Sequence, residues 1–190
     1  TNPENTGAAT HFVALAEALA ESGHAVSVVA FPDGLIAREL AHADVRLQGG
    51  KFRNAFDLRG YATVYAAARR SRPDWLIGNL GKESWPLIVI GGLLGVPVAL
   101  FRHRTPPMKP LSARLLPRLA RRFYAVSNYA RQAYLDRGIA AARVQVLYNP
   151  VNMAHCQPDA QQRARILREL GIGGDAIVLV VGYWLKYNAT

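Results

Sequence analysis

Residues 95–103 read Gly95-Val96-Pro97-Val98-Ala99-Leu100-Phe101-Arg102-His103. A Gly/Pro break followed by an apolar, partly β-branched run predicts a buried strand over Val96 to Phe101. The run ends in Arg102-His103-Arg104 and then in Thr105-Pro106-Pro107, which cannot continue a strand. Polar groups leaving the carboxyl end of a buried parallel strand stand where open α/β sheets hold their ligands. The same charges would also serve simply to solvate a strand end.

Upstream, Ser84 to Phe101 carries no charged residue and touches the lower length limit for a membrane span. Gly91, Gly92, Gly95 and Pro97 interrupt it, so it reads as a buried helix, Glu83 to Leu94, a turn and the strand. The same alternation runs along the whole chain. Helices are expected at Thr6 to Ser22, Gly34 to Ala43, Asp57 to Arg70, Leu111 to Arg121, Asn128 to Arg137 and Gln161 to Leu170. Strands are expected at Val26 to Phe31, Val45 to Leu47, Trp75 to Ile77, Phe123 to Val126, Val144 to Leu147 and Ala176 to Val181. Such βαβ crossovers imply an α/β fold, a doubly wound parallel sheet of Rossmann-like type. A strand normally precedes the first helix of such a sheet, and Thr1 to Asn5 reads instead as a loop, a stub at most. The chain opens on Thr1 rather than Met, and a piece of a longer polypeptide is expected.

The chain has 190 residues, 23 Lys and Arg against 13 Asp and Glu, and a net charge of +10. Lysine appears only at 51, 82, 109 and 186, so arginine dominates, and the excess is concentrated between Arg102 and Arg143. That balance favours an anionic partner: a membrane surface, a phosphorylated substrate or nucleic acid. An arginine-rich genome would produce the same composition. Aromatics are not interleaved with the basic residues, which argues against single-stranded nucleic acid. The single cysteine, Cys156, excludes an internal disulfide and fits a reducing compartment. His155 beside it has no further Cys or His at zinc spacing, so no metal site is expected. Neither a G-x-G-x-x-G nor a P-loop is present. His11, His24 and His42 lie on or beside helices and read as structural. The helix from Leu111 to Arg121 sets Leu115, Leu116 and Leu119 against Arg114, Arg118 and Arg121, as a membrane-surface helix does. A helix packed on a sheet with its charged side in water has the same composition.

Five segments, in order, resemble group 1 glycosyltransferases. Asn5-Thr6-Gly7-Ala8-Ala9, a following Ala/Leu helix and Ser22-Gly23-His24-Ala25-Val26-Ser27-Val28-Val29 resemble that family's opening loop, helix and strand. Gly95 to His103 is similar to its strand ending in histidine, and Tyr124-Ala125-Val126-Ser127 to its next strand end. Val144 to Asn152 and Leu170 to Gly182 resemble the close of its first domain and the start of its second. The resemblance implies the N-terminal domain of a retaining GT-B enzyme, with residues 1–171 as the acceptor-side domain and 172–190 beginning the next. It implies a metal-independent hexosyl transfer in which the nucleotide-sugar donor is a substrate and no cofactor is needed. The acceptor would be a glycan or lipid-linked molecule of the bacterial envelope. The location implied is cytoplasmic, with room for peripheral contact at the inner membrane face.

Carried over residue by residue, the resemblance assigns His103 to the donor sugar near the reacting carbon, as the catalytic candidate. A histidine there can donate a hydrogen bond to a sugar hydroxyl or to developing charge. Gly7, Ala8 and Ser127 become donor-binding candidates. At Gly7 the backbone N–H groups of a helix start can approach a phosphate; a plain loop with Thr6 as N-cap is the alternative. Thr6, Lys82, Arg102, Arg104 and Lys109 are the acceptor-binding candidates, their charge suited to phosphate. The sequence departs from the family where Gly182-Tyr183-Trp184 stands in place of a glycine followed by arginine. The second-domain carboxylate motif would fall beyond Thr190, so the 190 residues alone are expected to be inactive. A non-enzymatic basic module docking on anionic membrane or nucleic acid is the competing reading.

Overall fold

The segment Val98–Arg102 forms an inner strand of a four-stranded sheet, and in it Val98 to Phe101 are all buried. A strand covered on both faces reads as a continuous apolar run, and this one does. The computed structural model describes residues 7–50, 52, 54, 56–79, 81–103, 109–150 and 159–172. In chain order the elements are α1 Gly7–Glu21, β1 Val26–Ala30, α2 Leu35–Glu39, β2 Val45–Gly49, α3 Leu58–Ser71, β3 Leu76–Gly78, α4 Ser84–Leu94, β4 Val98–Arg102, α5 Pro110–Leu119, β5 Arg122–Ala125, α6 Asn128–Leu135, β6 Gln145–Val146 and α7 Ala160–Leu170.

Among the described residues all strand pairings are parallel. β3, β4, β5 and β6 lie side by side in that order, and β1 pairs with β2. Among the described residues no ladder joins β1 to β3. The strand expected ahead of α1 falls on residues 1–6, outside the described residues. One core gathers Leu87, Ile90, Leu100, Leu116, Phe123 and Val144 around β3 to β6. A smaller one joins Val13, Ala16, Val28 and Leu40 between α1 and β1.

The α4–β4 connection shows how the sequence sets this packing. α4 is apolar on every side, but it is not the fully buried helix expected: Leu87, Ile90 and Gly91 face the sheet, whereas Val89 and Leu93 on the other side are exposed. Gly91 lets it approach the sheet: a Cβ there would lie 2.5 Å from Val98 Cγ2 and 2.7 Å from the Val96 carbonyl oxygen.

The elements expected within the described residues are present, with different ends. β4 starts at Val98 and runs through Arg102, because Arg102 still pairs with Ala125 of β5. The helix expected over Gly34 to Ala43 is five residues of α2 and a 3-10 turn, Leu40–His42, with Leu40 fully buried. α5 stops at Leu119 rather than Arg121: Pro117 lacks an N–H for the last turn, and Arg122 already belongs to β5. Within α5, Leu116 turns inward, whereas Leu111 and Leu119 are exposed.

The chain divides into two compact units, 1–150 and 151–190. Of the second, α7 is described. Asp159 caps its start by accepting from the N–H groups of Gln161 and Gln162, and Gly171 closes it in the left-handed conformation. The strand expected at Ala176 to Val181 lies outside the described residues.

Candidate active site

Parallel strands deliver their carboxyl ends to one edge, and at that edge β3 is followed by Asn79 and β4 by His103. The first turns of α1 close over both. Asn79 is buried, with 5% of its surface exposed. A buried carboxamide needs hydrogen-bond partners, and both the nitrogen and the oxygen of this one have them. Its Nδ2 donates to the Ala8 carbonyl of α1 at 2.6 Å, and its backbone N–H donates to Glu83 Oε1 at 3.0 Å. Its Oδ1 lies 2.7 Å from His103 Nε2 and 3.2 Å from His11 Nδ1.

The two imidazoles meet edge-on with ring centroids 4.7 Å apart, and His11 also packs on Phe101 at 4.9 Å. Burial pushes both histidines towards the neutral form. His103 is lowered to about 4, by desolvation first and then by the charges of His11 and Arg102. His11 is lowered by desolvation, partly offset by its bond to Asn79. At neutral pH the edge therefore presents neutral imidazole. Among the described residues His103 Nδ1 is buried and has no hydrogen-bond partner.

Arg102, the last residue of β4, points its Nε at the Tyr134 hydroxyl, 3.4 Å away, and its guanidinium lies against Gly81, where a Cβ would sit 2.7 Å from Nη1. Gly7 opens α1 on the exposed side, with empty space where a side chain would be. Lys82 is exposed in the same turn as Glu83, which holds Asn79. Ser127 stands after β5, and its hydroxyl accepts from the Ala130 N–H as the N-cap of α6. Lys109 is exposed at the start of α5. Thr6 and Arg104 lie outside the described residues.

The structure thus joins His103 and Ala8 through Asn79, sets Arg102 beside them, and adds Asn79, which the sequence did not single out, and His11, which was read as structural. His11 is a member of this cluster rather than a plain helix residue. Its signal was a histidine on the small apolar face of α1 among Ala8, Ala9 and Val13, where a buried polar group demands a partner. Asn79 was hidden as a turn residue after Gly78. Among the described residues no group of three or more His, Cys, Asp or Glu side chains could hold a metal ion.

The sequence profile described as Glycosyltransferase Family 4 matches residues 5–155. No curated protein matches the sequence. Among solved structures, Alr3699/HepE from Anabaena, crystallised with UDP, superposes with a TM-score of 0.71 at 16% identity over 90% of this chain and 48% of its own. A glycosyltransferase from Rickettsia africae gives 0.74 at 14% identity over 89% and 47%. MurG from Acinetobacter baumannii gives 0.57 at 21% identity over 82% and 46%. The chain therefore spans about half the length of the solved structures it matches. At such identities the likeness speaks for the fold, the Rossmann-like domain of GT-B glycosyltransferases. The profile match takes in most of the sequence and the whole histidine-bearing edge, and on that ground this chain belongs to Glycosyltransferase Family 4.

Proposed function

We propose that the chain is the N-terminal, acceptor-side half of a retaining hexosyltransferase that moves a sugar from a nucleotide-sugar to an envelope glycan or lipid-linked acceptor. The observation that carries this reading is the neutral, partly buried His103 at the carboxyl edge, beside the start of α1. HepE has been crystallised with UDP and with UDP-glucose, which supports a nucleotide-sugar donor here. In the reaction the acceptor hydroxyl bonds to the anomeric carbon, the bond from that carbon to the nucleotide phosphate breaks, and the hydroxyl proton leaves with the released phosphate.

In this reading His103 contacts the donor sugar, and the α1 start at Gly7 and Ala8 faces the donor phosphates with Ser127 nearby. Arg102, Arg104, Lys82, Lys109 and Thr6 bind the acceptor. The donor is a substrate, no metal or cofactor takes part, and transfer persists in EDTA. The cleft needs a second domain to bring donor and acceptor together, so residues 1–190 alone transfer no sugar. Purified chain mixed with UDP-sugars and lipid-linked acceptors checks this, and measurable transfer would refute it.

The same reading places the protein at the inner face of an anionic membrane. Ser84 to Leu135 contain no Asp or Glu, and α5 exposes Leu111 and Leu119 beside Arg114 and Arg118. Among the described residues no helix is long and apolar enough to cross a membrane. Sedimentation with phosphatidylglycerol vesicles, weakened by salt and by Arg114→Gln with Arg118→Gln, tests this contact; equal binding to neutral vesicles would overturn it. The family match gives the non-enzymatic alternative no support.

A further inference from the structure

Asn79 reaches into three segments that are distant in sequence, and its orientation is not free. A carbonyl oxygen can only accept, so the atom 2.6 Å from the Ala8 carbonyl must be the amide nitrogen. The carboxamide oxygen then faces both imidazoles. That oxygen can only accept in turn, so each ring nitrogen facing it must carry the hydrogen. A neutral imidazole has one N–H. His103 is therefore protonated on Nε2 and His11 on Nδ1, and His103 Nδ1 is left as a lone pair, buried and without a partner among the described residues.

We propose that Asn79 is a positioning residue that fixes the tautomers of both histidines, so that His103 presents Nδ1 as a hydrogen-bond acceptor for a hydroxyl of the bound sugar. The inference deepens the glycosyltransferase reading and rests on it for the identity of the ligand; the tautomers do not depend on it. A buried lone pair is satisfied by a donor. A sugar hydroxyl donates; a phosphate or carboxylate, ionised at neutral pH, only accepts. On this proposal His103 accepts from the sugar where the resemblance had it donate, and it takes no part in binding the phosphates. The groups facing the pair are consistent: Phe101 is apolar, Arg102 disfavours an imidazolium, and the Glu83 carboxylate accepts from the Asn79 backbone N–H.

The first test is long-range ¹H–¹⁵N correlation of the imidazoles in the ¹⁵N-labelled chain at pH 8, with the five histidines assigned by single substitution. His103 is expected with hydrogen on Nε2 and a bare Nδ1, and His11 with hydrogen on Nδ1, the form free imidazole disfavours. Asn79→Ala, which removes the shared acceptor, returns His11 to the ordinary mixture. Hydrogen on His103 Nδ1 or His11 Nε2 in the unmodified chain overturns the proposal without any variant having to fold. The second test uses an active enzyme containing this chain and UDP-glucose analogues that each lack one hydroxyl. One analogue should lose kcat/KM by ~10- to 100-fold and lose little more when combined with His103→Ala. Fully additive losses for every analogue would overturn the hydroxyl contact while leaving the tautomer result to stand alone. Absence of transfer activity from every such enzyme would count against the functional reading instead.

Discussion

The two edges of the β3–β4–β5 sheet carry polar side chains in opposite ways. At the carboxyl edge Asn79, His11 and His103 are drawn inward and bonded to one another. At the amino edge Arg118, Arg121 and Arg143 rim an open groove floored by Gly91, Gly95 and Pro97, and all three arginines are exposed. The carbonyl ends of α4 and α5 face this groove, and guanidinium groups beside helix carboxyl ends complement the helix dipole. That suffices to explain them. No comparable local rule accounts for two histidines sharing one buried amide oxygen. Charge alone is therefore a poor guide to the site in so basic a chain; burial with mutual bonding separates the edges.

The sharpest way to break this contrast is at His103. In an active enzyme containing the chain, His103→Ala should lower kcat/KM by ~10²–10³. Its cost to stability should be only about 1 kcal/mol, for the lost bond to Asn79. Steady-state kinetics beside a denaturant melt checks both, and ordinary kinetics would make the carboxyl edge no more special than the amino edge. Arg104→Ala should instead raise the acceptor KM with kcat nearly unchanged.

At the amino edge the vulnerable residue is a glycine. Gly91→Ala gains about 1 kcal/mol of helix propensity. It also forces a methyl group against the Val96 carbonyl, and such overpacking costs about 1–3 kcal/mol. A net loss of stability is expected in urea unfolding, and a stabilised variant would show that α4 can move away from β4.

A smaller effect concerns pH. Free histidine titrates near 6.5, whereas His103 in the fold is lowered to about 4. Between these values the unfolded chain binds more protons, so the stability from keeping the ring neutral is complete above about pH 6.5 and falls as pH drops towards 4. The melting temperature should decline from pH 7 to pH 5, less steeply in a His11→Asn, His103→Asn double variant. Equal slopes would place the titration elsewhere. The smallest effect is expected from Arg121→Gln and Arg143→Gln, each within ±0.5 kcal/mol and without consequence for kcat.

The element order was legible because Gly23, Gly95 and Gly138 punctuate apolar runs of the right lengths. Ends were less so: the β4 boundary at Arg102 depends on pairing with Ala125, which no local pattern reports. His103 could be picked out because it follows a strand whose termination is written in Arg102 to Pro107. Asn79 and His11 could not, since their meaning lies in contacts across 24, 68 and 71 positions of sequence. Gly7 and Ala8, expected to face a phosphate, open the helix that Asn79 ties to the carboxyl edge, and Asn79 itself had no signal in the sequence.

One carboxamide fastening Ala8, His11 and His103 also has a consequence for motion. Lifting the start of α1 from the sheet breaks its bonds to Ala8 and His11 together and strips His103 of its shielding. The opening turns of α1 and the turn after β3 therefore belong to one cooperative unit for local unfolding. Their slowly exchanging amide hydrogens should share a common opening free energy, and a ligand that fastens any one of them should slow exchange in the others.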